Sequence, residues 1–207
     1  MKPKVLLNYA ILCFIWGTTW IVLKKSLMEG TPPFFGAGFR FFVAGLILWA
    51  VILYKKDRPS FEPLPLRLYI QFGLMNLTIS YGLTYWATQF IYSSLSAIIW
   101  SGFPLCVAVI SYFMLPNEPL TKKKMISLFL GTFGALLILK EGLKFEGDQV
   151  AFGILMVMIA VIIAGYPNVY LKRYSDAVTS LHLNAVSQLL AGTTLLIVSF
   201  IFETDQQ

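Results

Sequence analysis

Seven long apolar stretches alternate with short polar segments along this chain. They cover residues 5–23, 34–54, 68–88, about 22 residues from Ser93 onward, 125–139, 150–170 and 182–202. A helix of about 20 consecutive apolar residues crosses the ~30 Å hydrocarbon core of a bilayer. Because these stretches recur at short intervals, the pattern predicts an all-α membrane protein, a polytopic bundle of about seven transmembrane helices.

The composition agrees with a membrane protein and excludes an ordinary soluble domain. Hydrophobic residues make up 57% of the 207 residues and charged residues only 13%, whereas a soluble domain carries about 25% charged residues. The net charge of +6 needs no nucleic acid partner, because Lys and Arg concentrate in alternate loops. The other loops hold only Lys24, Lys25, Lys140 and Lys144. The positive-inside rule then predicts a multi-pass protein of the cell membrane with a cytoplasmic N-terminus.

The fourth apolar stretch and the turn after it contain strong helix-breaking residues. Pro104 lies mid-span, where it removes a backbone donor and is expected to kink the helix. Ser101 belongs to a row of small residues on one helix face, which favours close approach of a neighbouring helix. A double-proline turn follows, and Glu118 within it is interpreted as a structural residue.

Further small residues and one proline are interpreted as structural. Gly17 permits close packing in the first span, and Gly131 and Gly134 lie in the fifth span, where small residues recur every fourth position. In the sixth span, Gly165 and Pro167 are expected to break the helix near its end.

Arg40 is the one ionisable residue deep within a predicted span. A charge there costs about 2.5–3.5 kcal/mol on insertion scales, so such residues usually face a cavity or a partner. The alternative is that Arg40 reaches the outer headgroups, since it lies only about 9 Å below Phe34 along a helix. Small neighbours at Gly36 and Ala44 favour a packed inner face, so a cavity-facing or helix-bridging role is predicted.

Polar and aromatic residues in several spans are the remaining candidates for a solute path. Each of them has a purely structural role as the alternative, since aromatic pairs at helical spacing usually pack together and polar stripes often form interhelical hydrogen bonds. The candidates besides Arg40 are Trp16, Trp20, Asn76, Ser80, Tyr81, Thr84, Tyr85, Trp100, Ser101 and Gln188. His182, at the mouth of the seventh span, is expected to be solvated.

An internal repeat becomes visible at a shift of 148 residues. The shift places residues 16–25 over residues 164–173, so that Gly17 meets Gly165 and two basic residues close each copy. It also places Arg40 on Gln188. Because five spans separate the copies, the second copy is inverted in the membrane. The expected domains are a first five-helix repeat over residues 1–140 and the first two helices of a second repeat over 149–207.

Three motifs occur in a characteristic order along the chain. They are Trp16-Gly17-Thr18-Thr19-Trp20, then Arg40-Phe41-Phe42-Val43-Ala44-Gly45, and then the stretch from Tyr92 through Pro104 to Thr121. Together they resemble the EamA-like branch of the drug/metabolite transporter superfamily. The resemblance implies ten helices in two inverted five-helix repeats around a central cavity, which move small organic solutes by alternating access. The chain holds only part of that pattern, so it is interpreted as a fragment, a truncated reading frame or a half that needs a partner.

The predicted function is export of small organic metabolites, amino acids or related solutes, with the solute and the lipid bilayer as partners. All ten acidic residues lie outside the predicted spans, which favours transport driven by the solute gradient or coupled elsewhere. An enzyme is not predicted, because G-x-S-x-G, H-E-x-x-H and paired intramembrane aspartates are missing from the sequence. The alternative is an inactive or truncated membrane scaffold, or a half-transporter that forms a homodimer or pairs with a complementing chain. No cofactor or metal site is predicted.

Overall fold

The computed structural model describes residues 3–115, 121–142 and 148–203, and these residues form helices without strands. The first two rods are α1 (Pro3–Met28) and α2 (Pro33–Lys55). The third combines α3 (Pro63–Gln71), a π-helical segment (Phe72–Ser80) and α4 (Tyr81–Ala87). The fourth combines α5 (Ser93–Ser101) and α6 (Phe103–Met114). The last three are α7 (Lys122–Gly142), α8 (Asp148–Arg173) and α9 (Ser180–Phe202).

The described residues thus form seven helical rods, which confirms the predicted all-α bundle. Five of the helices are long and apolar enough to cross a membrane by length and composition. Many large apolar side chains on the outer faces are exposed, among them Phe14, Phe113, Phe129 and Phe200. A soluble monomer rarely exposes such contiguous apolar surface, so these faces suit contact with lipid.

The largest helix–helix contact among the described residues joins α2 to α9. Glycines allow their backbones to touch. A Cβ at Gly38 would lie 2.9 Å from Leu196 N, one at Gly45 would lie 2.8 Å from Leu189 N, and one at Gly192 would lie 2.7 Å from Phe42 Cα. No side chain fits at these positions without separating the helices, so glycine sets the distance between α2 and α9.

Each end of the α2–α9 pair carries a carboxylate contact. Glu203, after α9, accepts hydrogen bonds from Phe34 N at 2.8 Å and Phe35 N at 3.0 Å. These amides have no partner within α2, and the N-terminal end of a helix favours negative charge. At the other end, Asp57 Oδ2 lies 2.9 Å from His182 Nε2 in the first turn of α9. The expectation that His182 is solvated is therefore wrong, because it is buried against this carboxylate.

The third rod departs from the regular α-helix that the stripe at Asn76, Ser80 and Thr84 suggested. Residues Phe72–Ser80 are π-helical, and Thr78 Oγ1 donates to Gly73 O, five residues earlier, at 3.0 Å. Serine hydroxyls hold both ends of this segment. Ser187 Oγ of α9 donates to Tyr69 O at 3.0 Å, and Ser80 Oγ donates to Ala160 O of α8 at 2.8 Å. These bonds satisfy backbone carbonyls that water cannot reach in a membrane.

Pro104 and Pro167, which were both expected to disturb their helices, differ in their effect. The fourth rod is interrupted at Gly102, and Pro104 lies in the first turn of α6, where its missing N–H costs nothing. The predicted break at Pro167 is wrong, because α8 runs through it to Arg173. Pro167 lacks the N–H that would bond Ile163 O, and Asn168 Nδ2 donates to the next carbonyl, Ala164 O, at 2.8 Å.

Lys24 lies within α1, where the sequence had suggested a loop, and it ties α1 to the turn between α4 and α5. Its ammonium donates to Thr88 O at 2.8 Å, Gln89 O at 3.2 Å and Ile91 O at 3.0 Å. These three bonds use every donor of the ammonium group. The ammonium of another rod therefore satisfies three backbone carbonyls of the turn.

Not every predicted small residue marks a close approach. A Cβ at Gly165 would lie 2.6 Å from Ile110 Cδ1, so α8 packs tightly on α6 there. In contrast, a Cβ at Gly17, Gly131 or Gly134 would meet no atom of the described residues within 4 Å. The expected close packing at Gly17 is thus wrong for this part of the chain. Glu118 lies outside the described residues.

We expect Gly192→Ala to lower the stability of the bundle, because its methyl group would overlap the backbone of Phe42. Overpacking of this kind costs about 1–3 kcal/mol. Gly17→Ala is the matched control, and its better helix propensity should leave stability unchanged or raise it by up to about 1 kcal/mol. The measurement is the melting temperature of the purified chain in detergent by intrinsic fluorescence. Equal melting temperatures for the two variants would contradict the account of the α2–α9 contact.

Candidate functional site

A cavity of about 600 Å³ lies between the rods. Residues of α1, α2, the π segment, α4, α5, α6, α8 and α9 line it. The lining residues are Trp16, Trp20, Arg40, Phe41, Phe72, Asn76, Leu77, Tyr81, Ala97, Trp100, Ser101, Phe103, Pro104, Asn168, Asn184 and Gln188. This volume is typical of a pocket for a small organic molecule.

One wall of the cavity is aromatic. The ring of Trp100 lies 6.5 Å from that of Trp20, 5.6 Å from that of Tyr81 and 5.7 Å from that of Phe103, measured between centroids. Tyr81 in turn meets Phe41 edge to face at 5.2 Å. The interruption at Gly102 places Phe103 at the start of a new helix beside Trp100. These rings form a continuous apolar surface on which a planar group can lie.

Arg40 supplies a positive charge to the lining of this cavity. Its Nη1 donates to Tyr85 Oη at 3.3 Å, which links α2 to α4. A guanidinium has five N–H donors, so this bond leaves several of them for another acceptor. Among the lining residues that the structure describes, Arg40 alone is charged. The arrangement gives the cavity a single positive group beside an aromatic wall, which suits a carboxylate.

A further part of the lining, the amide wall, carries side-chain amides. Asn168 Nδ2 donates to Asn76 Oδ1 at 3.1 Å, and Gln188 Nε2 donates to Asn184 Oδ1 at 3.3 Å. Asn184 Nδ2 donates to Ser180 O at 2.8 Å. Within the described chain, Gln188 Oε1 is buried without a hydrogen-bond donor. An unpaired buried acceptor is costly unless a ligand or water supplies a donor.

Three of the predicted solute-path residues do not line the main cavity. Ser80 is fully buried and bonds the backbone of α8. Thr84 and Tyr85 lie behind the aromatic wall, around a small adjoining cavity of about 10 Å³. Thr84 Oγ1 accepts a bond from Trp100 Nε1 at 3.2 Å and donates to Ser80 O at 2.8 Å. This chain of bonds orients the Trp100 ring, so these residues support the wall.

The other eight predicted solute-path residues line the main cavity, and so does Pro104. Sequence reasoning missed two of the amides, Asn168 and Asn184. The 148-residue repeat contained a signal for the first, because it aligns Asn168 with Trp20. Asn184 lies one helical turn before Gln188, so the face of α9 that carries Gln188 pointed to it. No group of three His, Cys, Asp or Glu side chains in the described ranges could hold a metal ion.

Comparison with protein families gives an unambiguous match. The model of the EamA-like transporter family matches residues 4–140. The chain belongs to this family. An EamA-like family member is a multi-pass membrane protein of transporter type, in agreement with the helical bundle and its cavity. The relatives described below are named as transporters rather than as enzymes.

Two curated relatives and one solved structure indicate how much of such a protein the chain spans. The chain is 30% identical over 200 residues to the uncharacterized transporter YoaV of Bacillus subtilis, covering 97% of this chain and 68% of the relative. It is 31% identical over 202 residues to the S-adenosylmethionine/S-adenosylhomocysteine transporter of Chlamydia trachomatis, covering 92% and 60%. A crystal structure with 19% identity matches 91% of this chain and 66% of its own length, with a TM-score of 0.67. The chain thus spans about two thirds of these proteins.

Proposed function

We propose that this protein carries small organic solutes with a carboxylate and a planar apolar part, such as amino acids or related compounds, across the membrane by alternating access. The observation that carries the proposal is the cavity of about 600 Å³ in which Arg40 faces an aromatic wall. Hydrogen bonds from arginine to a carboxylate are charge-assisted and stronger than neutral ones. An intramembrane arginine that faces a cavity is by default a candidate for ligand binding.

The amide wall adds a place for the amino group of such a solute. Gln188 Oε1 is one of two buried amide oxygens without a donor among the described residues, and Gln188 is the one of the two that lines the cavity. In our proposal a solute ammonium or N–H group supplies that donor. S-Adenosylmethionine and S-adenosylhomocysteine, which the Chlamydia trachomatis relative is named for, also combine an amino acid group with a planar ring. This chemistry favours an amino-acid-like solute over a purely anionic one.

The contact between α2 and α9 supports the proposal of an inverted repeat, with residues 1–140 as the first copy and 149–207 as the start of the second. This contact is the largest between helices of the described residues, and it joins the second helix of one proposed copy to the second helix of the other. A pseudo-two-fold axis between inverted copies brings equivalent helices together in this way, and binding at the repeat interface is a common plan of secondary transporters.

We propose that the protein exports its solute. We also propose that its N-terminus lies in the cytoplasm, an orientation that the distribution of Lys and Arg favours. The cavity lining contains no carboxylate or histidine in the described part of the chain, and such groups usually carry coupled protons. We propose that transport is driven by the solute gradient, and coupling through groups outside the described lining is the alternative. Solute made inside the cell then leaves it.

We expect Arg40→Gln to weaken the binding of L-phenylalanine, the simplest solute of this class, by about ten- to a hundredfold. The estimate follows from about 1.5–3 kcal/mol for hydrogen bonds to charged groups. Arg40→Lys should retain part of the affinity, since it keeps the charge but loses the planar fork. Arg58→Gln, an exposed arginine outside the cavity, is the matched control. The measurement is scintillation proximity binding of labelled ligand to the chain in lipid nanodiscs. Undiminished binding by Arg40→Gln would remove Arg40 from the site.

Energy coupling can be tested separately in vesicles from cells that express the protein. We expect preloaded solute to leave right-side-out vesicles at a rate set by its own gradient, and collapse of the proton gradient alone should change that rate little. Vesicles from cells without the protein are the control. Strong inhibition by a protonophore would show that a proton-coupled group drives transport and would contradict the gradient-driven account.

A further inference from the structure

The amide groups of Asn76 and Asn168 have a fixed orientation in the cavity wall. Asn168 Nδ2 donates to Ala164 O at 2.8 Å. A carbonyl oxygen only accepts hydrogen bonds, so the nitrogen of the Asn168 amide must be the atom on that side. The second proton of the same nitrogen is donated to Asn76 Oδ1 at 3.1 Å. The amide of Asn76 is thereby oriented as well, with its oxygen toward Asn168.

This arrangement leaves two unlike polar atoms for a ligand. Asn168 Oδ1 is a free acceptor and Asn76 Nδ2 is a free donor, since neither has a hydrogen-bond partner in the described residues. Both residues line the cavity. In contrast, the Nδ2 and Oδ1 of Asn184 are both engaged with protein groups. The Asn76–Asn168 pair thus differs from its neighbour, because it keeps one donor and one acceptor on two side chains that are hydrogen-bonded to each other.

The surrounding helices hold the pair rigidly. Asn76 lies in the π segment, which Ser80 ties to Ala160 of α8 at 2.8 Å. Asn168 follows Pro167 in α8, the helix that the π segment packs against. A binding group whose neighbours already fix its geometry loses little conformational entropy when it binds.

We propose that the Asn76–Asn168 pair is the specificity-determining element of the cavity and selects solutes whose planar part ends in an adjacent hydrogen-bond acceptor and donor. This inference rests on the proposed function, which places a carboxylate at Arg40 and a planar group on the aromatic wall. Asn76 Nδ2 donates to the acceptor of the solute, and Asn168 Oδ1 accepts from its donor. A primary carboxamide has this edge, and so does the aminopyrimidine ring of adenine.

The matched pair of probes is 4-carbamoyl-L-phenylalanine and 4-acetyl-L-phenylalanine. They have nearly the same shape, but the acetyl compound replaces the amide NH₂ by a methyl group and so leaves Asn168 Oδ1 unpaired. We expect the carbamoyl compound to bind the full chain in nanodiscs about three- to tenfold more tightly, the range of one hydrogen bond in a desolvated site. A second arm compares S-adenosyl-L-homocysteine with its analogue that lacks the 6-amino group, which separates a nucleobase edge from a carboxamide edge.

Variants assign the preference to the pair. Asn168→Ala should abolish the difference between the carbamoyl and acetyl compounds, whereas Asn184→Ala, on the same wall, should preserve the ratio even if both affinities change. Because the readout is a ratio of two affinities, a general loss of stability does not mimic it.

The outcomes separate this inference from the proposed function. If neither member of either pair binds, the proposed function fails. If both members of each pair bind equally to the unaltered chain, the carboxylate cavity stands and the specificity role of Asn76 and Asn168 is overturned. A preference that survives Asn168→Ala also overturns it. A preference in just one of the two arms supports the role, and it identifies the preferred edge as that of a carboxamide or that of a nucleobase.

Discussion

The backbone contact between α2 and α9 is the constraint on which the rest of the structure depends. At Gly38, Gly45 and Gly192 the two helices approach so closely that a methyl group would meet backbone atoms. Lipid offers no hydrophobic drive for helices to associate, so close van der Waals contact and hydrogen bonds must hold them together. The same two helices present Arg40 and Gln188 to the cavity. Their spacing therefore fixes where the charge and the free amide oxygen of the site lie.

Around this pair, polar side chains bond the backbone at several points where a rod is irregular. Ser187 and Ser80 hold the ends of the π segment. Asn168 donates a hydrogen bond to Ala164 O beside Pro167. Lys24 donates hydrogen bonds to the carbonyls of the α4–α5 turn. In a bilayer, irregular backbone is tolerated only where protein or cavity water satisfies it. The π segment and the part of α8 at Pro167 lie beside the cavity and place Asn76 and Asn168 on its walls. The interruption at Gly102 does the same for Phe103.

Much of this architecture follows from the sequence alone, because hydropathy in long stretches is a strong signal for membrane helices. The positions of Arg40, Trp16, Trp20, Trp100 and Gln188 on one cavity also followed from charge, spacing and the repeat. The π segment could not be predicted, because its register depends on Ser187 and Ala160, which are far away in the chain. Pro167 suggested a break because proline removes one backbone hydrogen bond, yet α8 continues through it to Arg173. Gly17 shows the converse, a small residue in a packing pattern that meets no partner in the described residues.

The central claim is that the cavity binds its solute through a carboxylate held by Arg40. Isothermal titration calorimetry of the full chain in nanodiscs with L-phenylalanine and L-phenylalaninamide tests it most directly, because the two ligands differ only in the carboxylate. A charge-assisted contact predicts at least about tenfold tighter binding of the carboxylate. Equal affinities, or tighter binding of the amide, would contradict the account, because Arg40 would then not be the group that recognises the solute.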